Sequence, residues 1–172
     1  MRNDNEAWLT PWEPSAAMAW RDRHTPTAFR AMRRASTRRA RVGMSLPFAV
    51  HHQGRLVGQV TVDNIVRGAL RSGHLGYWVD SAVAGRGVAS LAVALVCDHA
   101  FGPVGLHRLQ ADIRPENQPS RRLVERLGFT QEGLFRRYLD IDGGWRDHLA
   151  YALLADDVPG GVLGRWRSRH PG

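Results

Sequence analysis

Lysine is absent from this chain; all 24 basic residues among its 172 are arginine. A P-loop NTPase needs a lysine to reach its phosphates, so that class is excluded. Cysteine is nearly absent as well. Cys97 alone can form neither an intrachain disulfide nor a cysteine zinc cluster, which fits a reducing compartment. Long hydrophobic runs are missing: the longest, Val88 to Cys97, is about half of the ~20 residues that cross a bilayer. The stretch from Met1 to Pro14 is polar and broken by prolines, unlike a signal peptide. These absences predict a soluble, cytoplasmic protein. His51 and His52 are neighbours on a predicted strand and point to opposite faces, so no metal site is expected there.

What is present describes one ordinary globular domain. The length suits a single core, and 43% hydrophobic with 23% charged residues argues against disorder. The net charge is +8. Arg21, Arg23, Arg30, Arg33, Arg34, Arg38, Arg39 and Arg41 crowd one early segment. They read either as a solvated helix face or as a docking surface for an anionic partner such as a ribonucleoprotein.

Residues 15–41 have a helical pattern that Pro26 must kink or divide. Pro47–His52 and Leu56–Val62 read as strands around a Gln53-Gly54-Arg55 turn, and Ser72–Asp80 as another strand. Gly76 lies in the middle of that strand, where glycine marks a bulge or a close approach by a ligand. A helix from about Gly87 to Phe101 follows, with Val88, Leu91, Ala92, Leu95, Val96, His99 and Ala100 as its expected buried face and Cys97 off that stripe. Leu106–Arg114 is a strand. Pro119 opens a short helix that Gly128 ends. Phe129–Ile141 and Trp145–Leu154 form a hairpin around Asp142-Gly143-Gly144. The domain is expected to occupy residues 1–155, and residues 156–172 to form a loose tail. The order of elements is that of a mixed α/β domain.

The chemistry is carried by the passage from strand 72–80 through Gly85-Arg86-Gly87 into the helix. A helix start has backbone N–H groups without intrahelical partners and a positive dipole end, and so it attracts phosphate. Gly85 and Gly87 let the main chain approach a ligand, and Arg86 adds a charge-assisted contact. The Rossmann fingerprint fails, because Ser90 stands where its third glycine or alanine belongs. Coenzyme A fits, since its pyrophosphate can sit on one such nest without a metal. Taken alone, the same glycines also suit a plain connection.

A second region bears on the choice. Arg114-Pro115-Glu116-Asn117-Gln118-Pro119-Ser120, followed by a helix and Gly128-Phe129, resembles the Asn-x-x-Ser, helix, Gly-Phe signature of the GNAT acetyltransferase superfamily. Gly85-Arg86-Gly87-Val88-Ala89 resembles its pyrophosphate loop. Gly76-Tyr77-Trp78-Val79 resembles the preceding strand in the RimJ/RimL branch, which acetylates ribosomal-protein N-termini. Trp145-Arg146-Asp147-His148 and the Trp8–Pro14 stretch are similar to RimJ-like members too. The resemblance covers roughly residues 8–155.

That resemblance implies a GNAT fold with a central, largely antiparallel splayed sheet, and acetyl-CoA as the acetyl donor. Backbone amides of Gly85, Arg86, Gly87, Val88 and Ala89, with Ser90 beside them, would hold the pyrophosphate. Backbone along Tyr77, Trp78 and Val79 would pair with the pantetheine arm. Asn117 would hold the pantetheine or a nearby main-chain group, with Ser120 close to the thioester sulfur. The departures are Ala84 for a polar residue, His74 for an acidic one, and no counterpart of the family's first strand ahead of Trp8.

The proposed reaction is direct attack by an amine. A protein α-amino group, with a pKa of about 7.7–8.0, is partly neutral at cellular pH and needs only a modest base. His74 would relay the proton, the Val79 N–H left by a bulge would bind the oxyanion, and Ser120 would protonate the thiolate. Against these roles, His74 also reads as a structural histidine and Ser120 as a helix cap. Asp140, Asp142, Asp147 and Glu132 are competing carboxylates. The expected acceptor is a protein N-terminus, in particular a ribosomal one, with the enzyme a monomer or homodimer and nucleic-acid contact secondary. A small-molecule amine and a non-catalytic basic RNA-associated module are the alternatives.

Overall fold

The computed structural model describes residues 1–169. The N-terminal region is built of short helical pieces: α1 (Glu6–Leu9) between two 3-10 turns, then α2 (Trp20–Arg23). The long helix α3 (Pro26–Arg41) starts where its sequence demands. Pro26 has no N–H to donate and fits only a first turn, and the Thr25 hydroxyl caps the Ala28 N–H at 3.1 Å. The helical pattern over 15–41 is therefore divided, as Pro26 requires, and residues 15–19 lie outside any helix.

Six strands form one sheet in the order β1-β2-β3-β4-β6-β5. β1 (Leu46–His52) and β2 (Arg55–Val66) are joined at Gln53-Gly54, both with positive φ. β3 (Ser72–Val79), α4 (Val88–Phe101) and β4 (Arg108–Ile113) form the strand–helix–strand unit. α5 (Gln118–Leu127) leads to the hairpin β5 (Thr130–Ile141) and β6 (Gly144–Leu154), whose turn residues Asp142 and Gly143 have φ of 51° and 72°. That left-handed pair matches strand twist, which is why Asp-Gly occupies it. Every neighbouring pair is antiparallel except β3–β4. Ahead of β1 the described residues contribute only an isolated bridge, Pro14 to Ile141. The result is the expected mixed α/β architecture.

The core lies between one sheet face and the helices. Val60, Val62, Leu75, Leu109, Ala111 and Leu153 meet Val93, Val96, Cys97, Val124 and Leu127. Here α4 differs from the expected face. Leu95 is 49% exposed, whereas Val93 and Cys97 are fully buried. The helix is apolar nearly all round, so its sequence does not single out one stripe; the strands on either side choose it. Cys97, placed off the stripe, belongs to the core, and burial pushes its thiol pKa upward.

Two further expectations are corrected. β3 runs in regular register past Gly76, which pairs with Thr61; the irregularity in the β2–β3 ladder falls between Asp63 and Val66. Gly76 therefore makes no bulge. The region from Asp156 is not a loose tail through Arg169, because a 3-10 turn (Ala155–Asp157) leads to α6 (Val162–Ser168). Val162 is fully buried, and both carboxylate oxygens of Asp98 on α4 accept from the Val162 and Leu163 N–H groups, at 2.6 and 3.0 Å. A capped start and one apolar anchor dock the helix despite its Gly- and Arg-rich sequence. Residues 170–172 of the expected tail lie outside the described residues.

No described helix is long and apolar enough to cross a membrane.

Candidate active site

The site begins where the sheet splits. β3 and β4 pair only over residues 72–74 and 108–110, and then part. The β2–β3 ladder fixes which way the main chain of β3 points. Asp80 donates its N–H to the Val57 carbonyl at 2.7 Å, so even-numbered residues of β3 face β2 and odd-numbered ones face β4. Arg71 agrees, its carbonyl accepting from His107 on the β4 side at 2.7 Å. The backbone groups of Tyr77 and Val79 thus point toward the gap. The Val79 carbonyl there accepts from the Trp8 indole Nε1 at 3.1 Å, which seats the N-terminal segment beside the strand. The Trp78 main chain faces β2 instead. Its indole carries the Arg2 guanidinium 4.6 Å above it, and its Nε1 is buried with no partner among the described residues.

The gap holds a cavity of about 170 Å³, lined by Gly76 and Tyr77 of β3, Asp112 of β4, Ser120 of α5 and Asn117 just ahead of it, His148 of β6 and Trp12, among others. Nothing lies within 4 Å of where a Gly76 side chain would begin, so the strand is bare there and open to close approach. Within the cavity the Tyr77 hydroxyl is 2.7 Å from Ser120 Oγ and 3.3 Å from the Ser120 carbonyl oxygen. Burial pushes the Tyr77 pKa upward, so the phenol keeps its proton. Asn117 is the N-cap of α5, accepting from the Ser120 N–H at 3.2 Å. The cap is therefore Asn117, and Ser120, one turn in, leaves its hydroxyl for Tyr77.

The pyrophosphate candidate follows β3. Gly85 and Gly87 have φ of 75° and 79°, a conformation that L side chains rarely adopt. Gly87 is the N-cap of α4 and its carbonyl accepts from the Leu91 N–H, which leaves those of Val88, Ala89 and Ser90 as the orphan donors of the helix start. Arg86 is exposed beside them. Ser90 turns its hydroxyl back to the Gly87 carbonyl at 2.8 Å. Positive-φ glycines with open space at Gly85 suit a diphosphate, and the bare Gly76 with the gap-facing backbone of Tyr77 and Val79 suits the extended arm of coenzyme A.

His74 lies two residues before Gly76 and does not line the cavity. It reaches it through Asp112, whose Oδ2 is 3.4 Å from His74 Nδ1. The hydrogen bond to Asp112 raises the His74 pKa, against partial burial and the nearby Arg108. Gln110 donates to the other Asp112 oxygen at 2.9 Å. His148 is buried, its Nδ1 3.1 Å from the Arg146 carbonyl, and burial lowers its pKa.

The four competing carboxylates are engaged elsewhere. Asp140 accepts from Ser15, Asp147 from the Arg137 N–H, Glu132 pairs with Arg108, and Asp142 sits in the hairpin turn. Sequence reasoning missed Asp112 and His148. The signal was faint: Arg108, Gln110 and Asp112 alternate on one face of β4, but only the neighbouring strand reveals that Asp112 meets His74. It also missed Trp166 on α6, whose Nε1 donates to Ser90 Oγ at 3.0 Å.

Known proteins resemble this chain in sequence and fold. The family described as "Acetyltransferase (GNAT) domain" matches residues 1–130. The [ribosomal protein uS5]-alanine N-acetyltransferase of Escherichia coli is 31% identical, over 91% of this chain and 81% of that protein. A probable N-acetyltransferase of Bacillus subtilis, YjcK, is 43% identical, but the match spans 60% of this chain and only 57% of that relative. The structure of Mycobacterium smegmatis RimJ in complex with CoA-disulfide superposes with a TM-score of 0.96 at 43% identity, covering 98% of this chain and 80% of that one. The split sheet, the glycine-bounded helix start and these likenesses agree, and the chain belongs to the GNAT family of acetyl-CoA-dependent N-acetyltransferases, in its RimJ/RimL-like branch.

Proposed function

We propose that this protein transfers the acetyl group of acetyl-CoA to the α-amino group at a protein N-terminus, with a ribosomal protein as acceptor. The observation that carries the reading is the Tyr77–Ser120 hydroxyl pair, 2.7 Å apart, in the cavity where β3 and β4 part. The likeness to the uS5-alanine acetyltransferase supports the acceptor class.

The donor would lie along the gap. Its pyrophosphate would sit on the N–H groups of Gly85 to Ala89 and Ser90, and its pantetheine along the backbone from Tyr77 to Val79. The thioester would then stand at the cavity. The neutral amine attacks the carbonyl carbon, and a gap-facing main-chain N–H, that of Val79, stabilises the oxyanion. Collapse breaks the C–S bond. The thiolate takes a proton from Ser120 Oγ while solvent water restores the proton of that hydroxyl, and the partner Tyr77 stays protonated because it is buried. The proton lost by the amine passes to His74, held by Asp112. His148, with its lowered pKa, lines the cavity as a neutral imidazole.

Thiol release measured with acetyl-CoA and short peptides of differing first residue tests the proposal. Turnover with free α-amino peptides, lost when the terminus is blocked, is the expected result. Turnover only with small polyamines or antibiotics would refute the acceptor class.

A further inference from the structure

The whole net charge of this protein resides in one quarter of its length. Residues 23–62 contain eight arginines and no aspartate or glutamate; elsewhere sixteen arginines face sixteen carboxylates. Most of that excess is on α3, a 16-residue helix with no buried residue.

The arginines of α3 are sorted by direction. At about 100° per residue, Arg30, Arg33, Arg34, Arg38 and Arg41 fall within one arc of about 140° and along about 16 Å of axis. All five are exposed, and none has a carboxylate partner among the described residues. Arg39 points the other way and pins the helix, its Nη2 3.3 Å from Asp63 Oδ1 and 3.4 Å from Asn64 Oδ1. Asp63 stands directly opposite His74 in the β2–β3 register. The cationic row is thus anchored one strand away from the proposed base.

We infer that the outer face of α3 is an RNA-docking surface, on which Arg30, Arg33, Arg34, Arg38 and Arg41 grip the phosphate backbone one strand away from the proposed base. A protein interface needs an apolar centre, and this face has none: the other residues inside the arc are Pro26, Thr27 and Thr37, while Met32 lies on the opposite side of the helix and Phe29 on its flank, about 40° beyond Arg33. Phosphate binding needs only a dense row of cations, because a duplex presents one negative charge per about 1.7 Å of axis and guanidinium groups bind phosphate bidentately. The choice of RNA over DNA rests on the proposed ribosomal acceptor, which would be presented on an RNA surface; the phosphate-gripping row does not.

Anisotropy of a labelled RNA duplex of about 20 base pairs, titrated with the full chain between roughly 50 and 200 mM salt, tests the inference without donor or acceptor. With four or five phosphate contacts, log K should fall against log salt with a slope of about −3 to −5. The triple variant Arg33→Gln, Arg34→Gln, Arg38→Gln should flatten that slope by about 2 to 3 and weaken binding at least tenfold, with acetylation of a free peptide unchanged. Arg55→Gln, Arg71→Gln, Arg136→Gln removes the same charge from exposed positions outside α3 and should leave the slope within about one unit of the unaltered chain. Equal loss in both variants, absence of RNA binding, or tighter binding of poly-glutamate or of the equivalent DNA duplex would overturn it. Because no acetylation enters the binding measurement, its failure is distinct from failure of the acceptor reading.

Discussion

Trp166 and Ser90 join the two ends of the molecule's working half: the indole Nε1 of the last helix donates to the hydroxyl on the first turn of α4 at 3.0 Å. Ser90 passes the constraint on to the Gly87 carbonyl at 2.8 Å. The α6 helix therefore buttresses the proposed pyrophosphate loop, and Trp166 is a positioning residue for it. Trp166→Phe keeps the ring and removes the N–H. Its expected effect is about 0.5–1.5 kcal/mol, a two- to tenfold weaker affinity for acetyl-CoA by calorimetry, with kcat at saturating donor preserved.

Gly87→Val should be far more damaging to donor binding. The position has φ of 79°, which a β-branched residue resists. We expect at least a hundredfold loss of acetyl-CoA affinity with the far-ultraviolet spectrum retained, the strain costing about 1–3 kcal/mol and the lost backbone approach the rest. Unchanged affinity would remove the loop assignment.

Ser120→Ala and Tyr77→Phe each break the hydroxyl pair. Each should lower kcat by roughly ten- to a thousandfold while donor affinity changes little, within the range of general acid catalysis. Because the two hydroxyls act as one unit, the double variant should be no worse than the more severe single one. Additive losses would mean two independent roles.

The pH profile should bear the mark of Asp112. His74 accepts a proton only when neutral, and Asp112 raises its pKa above the ordinary value of about 6.5. Activity should therefore rise with pH along a limb centred above that value. In Asp112→Asn the charge that favours protonation is gone, so the limb should move to lower pH. A limb that stays in place would assign the base elsewhere.

Much of this was legible in the sequence, for local reasons. Pro26, Gly87, Pro119, Gly128 and Asp142-Gly143 each impose backbone geometry on their own, and the elements start or stop where they predict. What depends on neighbours was not legible. The buried face of α4 is chosen by the sheet, so Val93 and Cys97 join the expected Val96 and Ala100 inside while Leu95 faces out. Asp112 becomes a site residue only because β3 lies alongside β4. The C-terminal helix, read as loose from composition, is held by Asp98, 64 residues away in sequence from the Val162 amide it caps.

The β3–β4 ladder runs for only three residue pairs before the strands separate. The two half-sheets therefore meet along a short seam, with α4 packed behind it. An extended donor in the opening would act as a temporary seventh strand, spanning both halves with its own amide groups. Loading and unloading would then stiffen and loosen that seam.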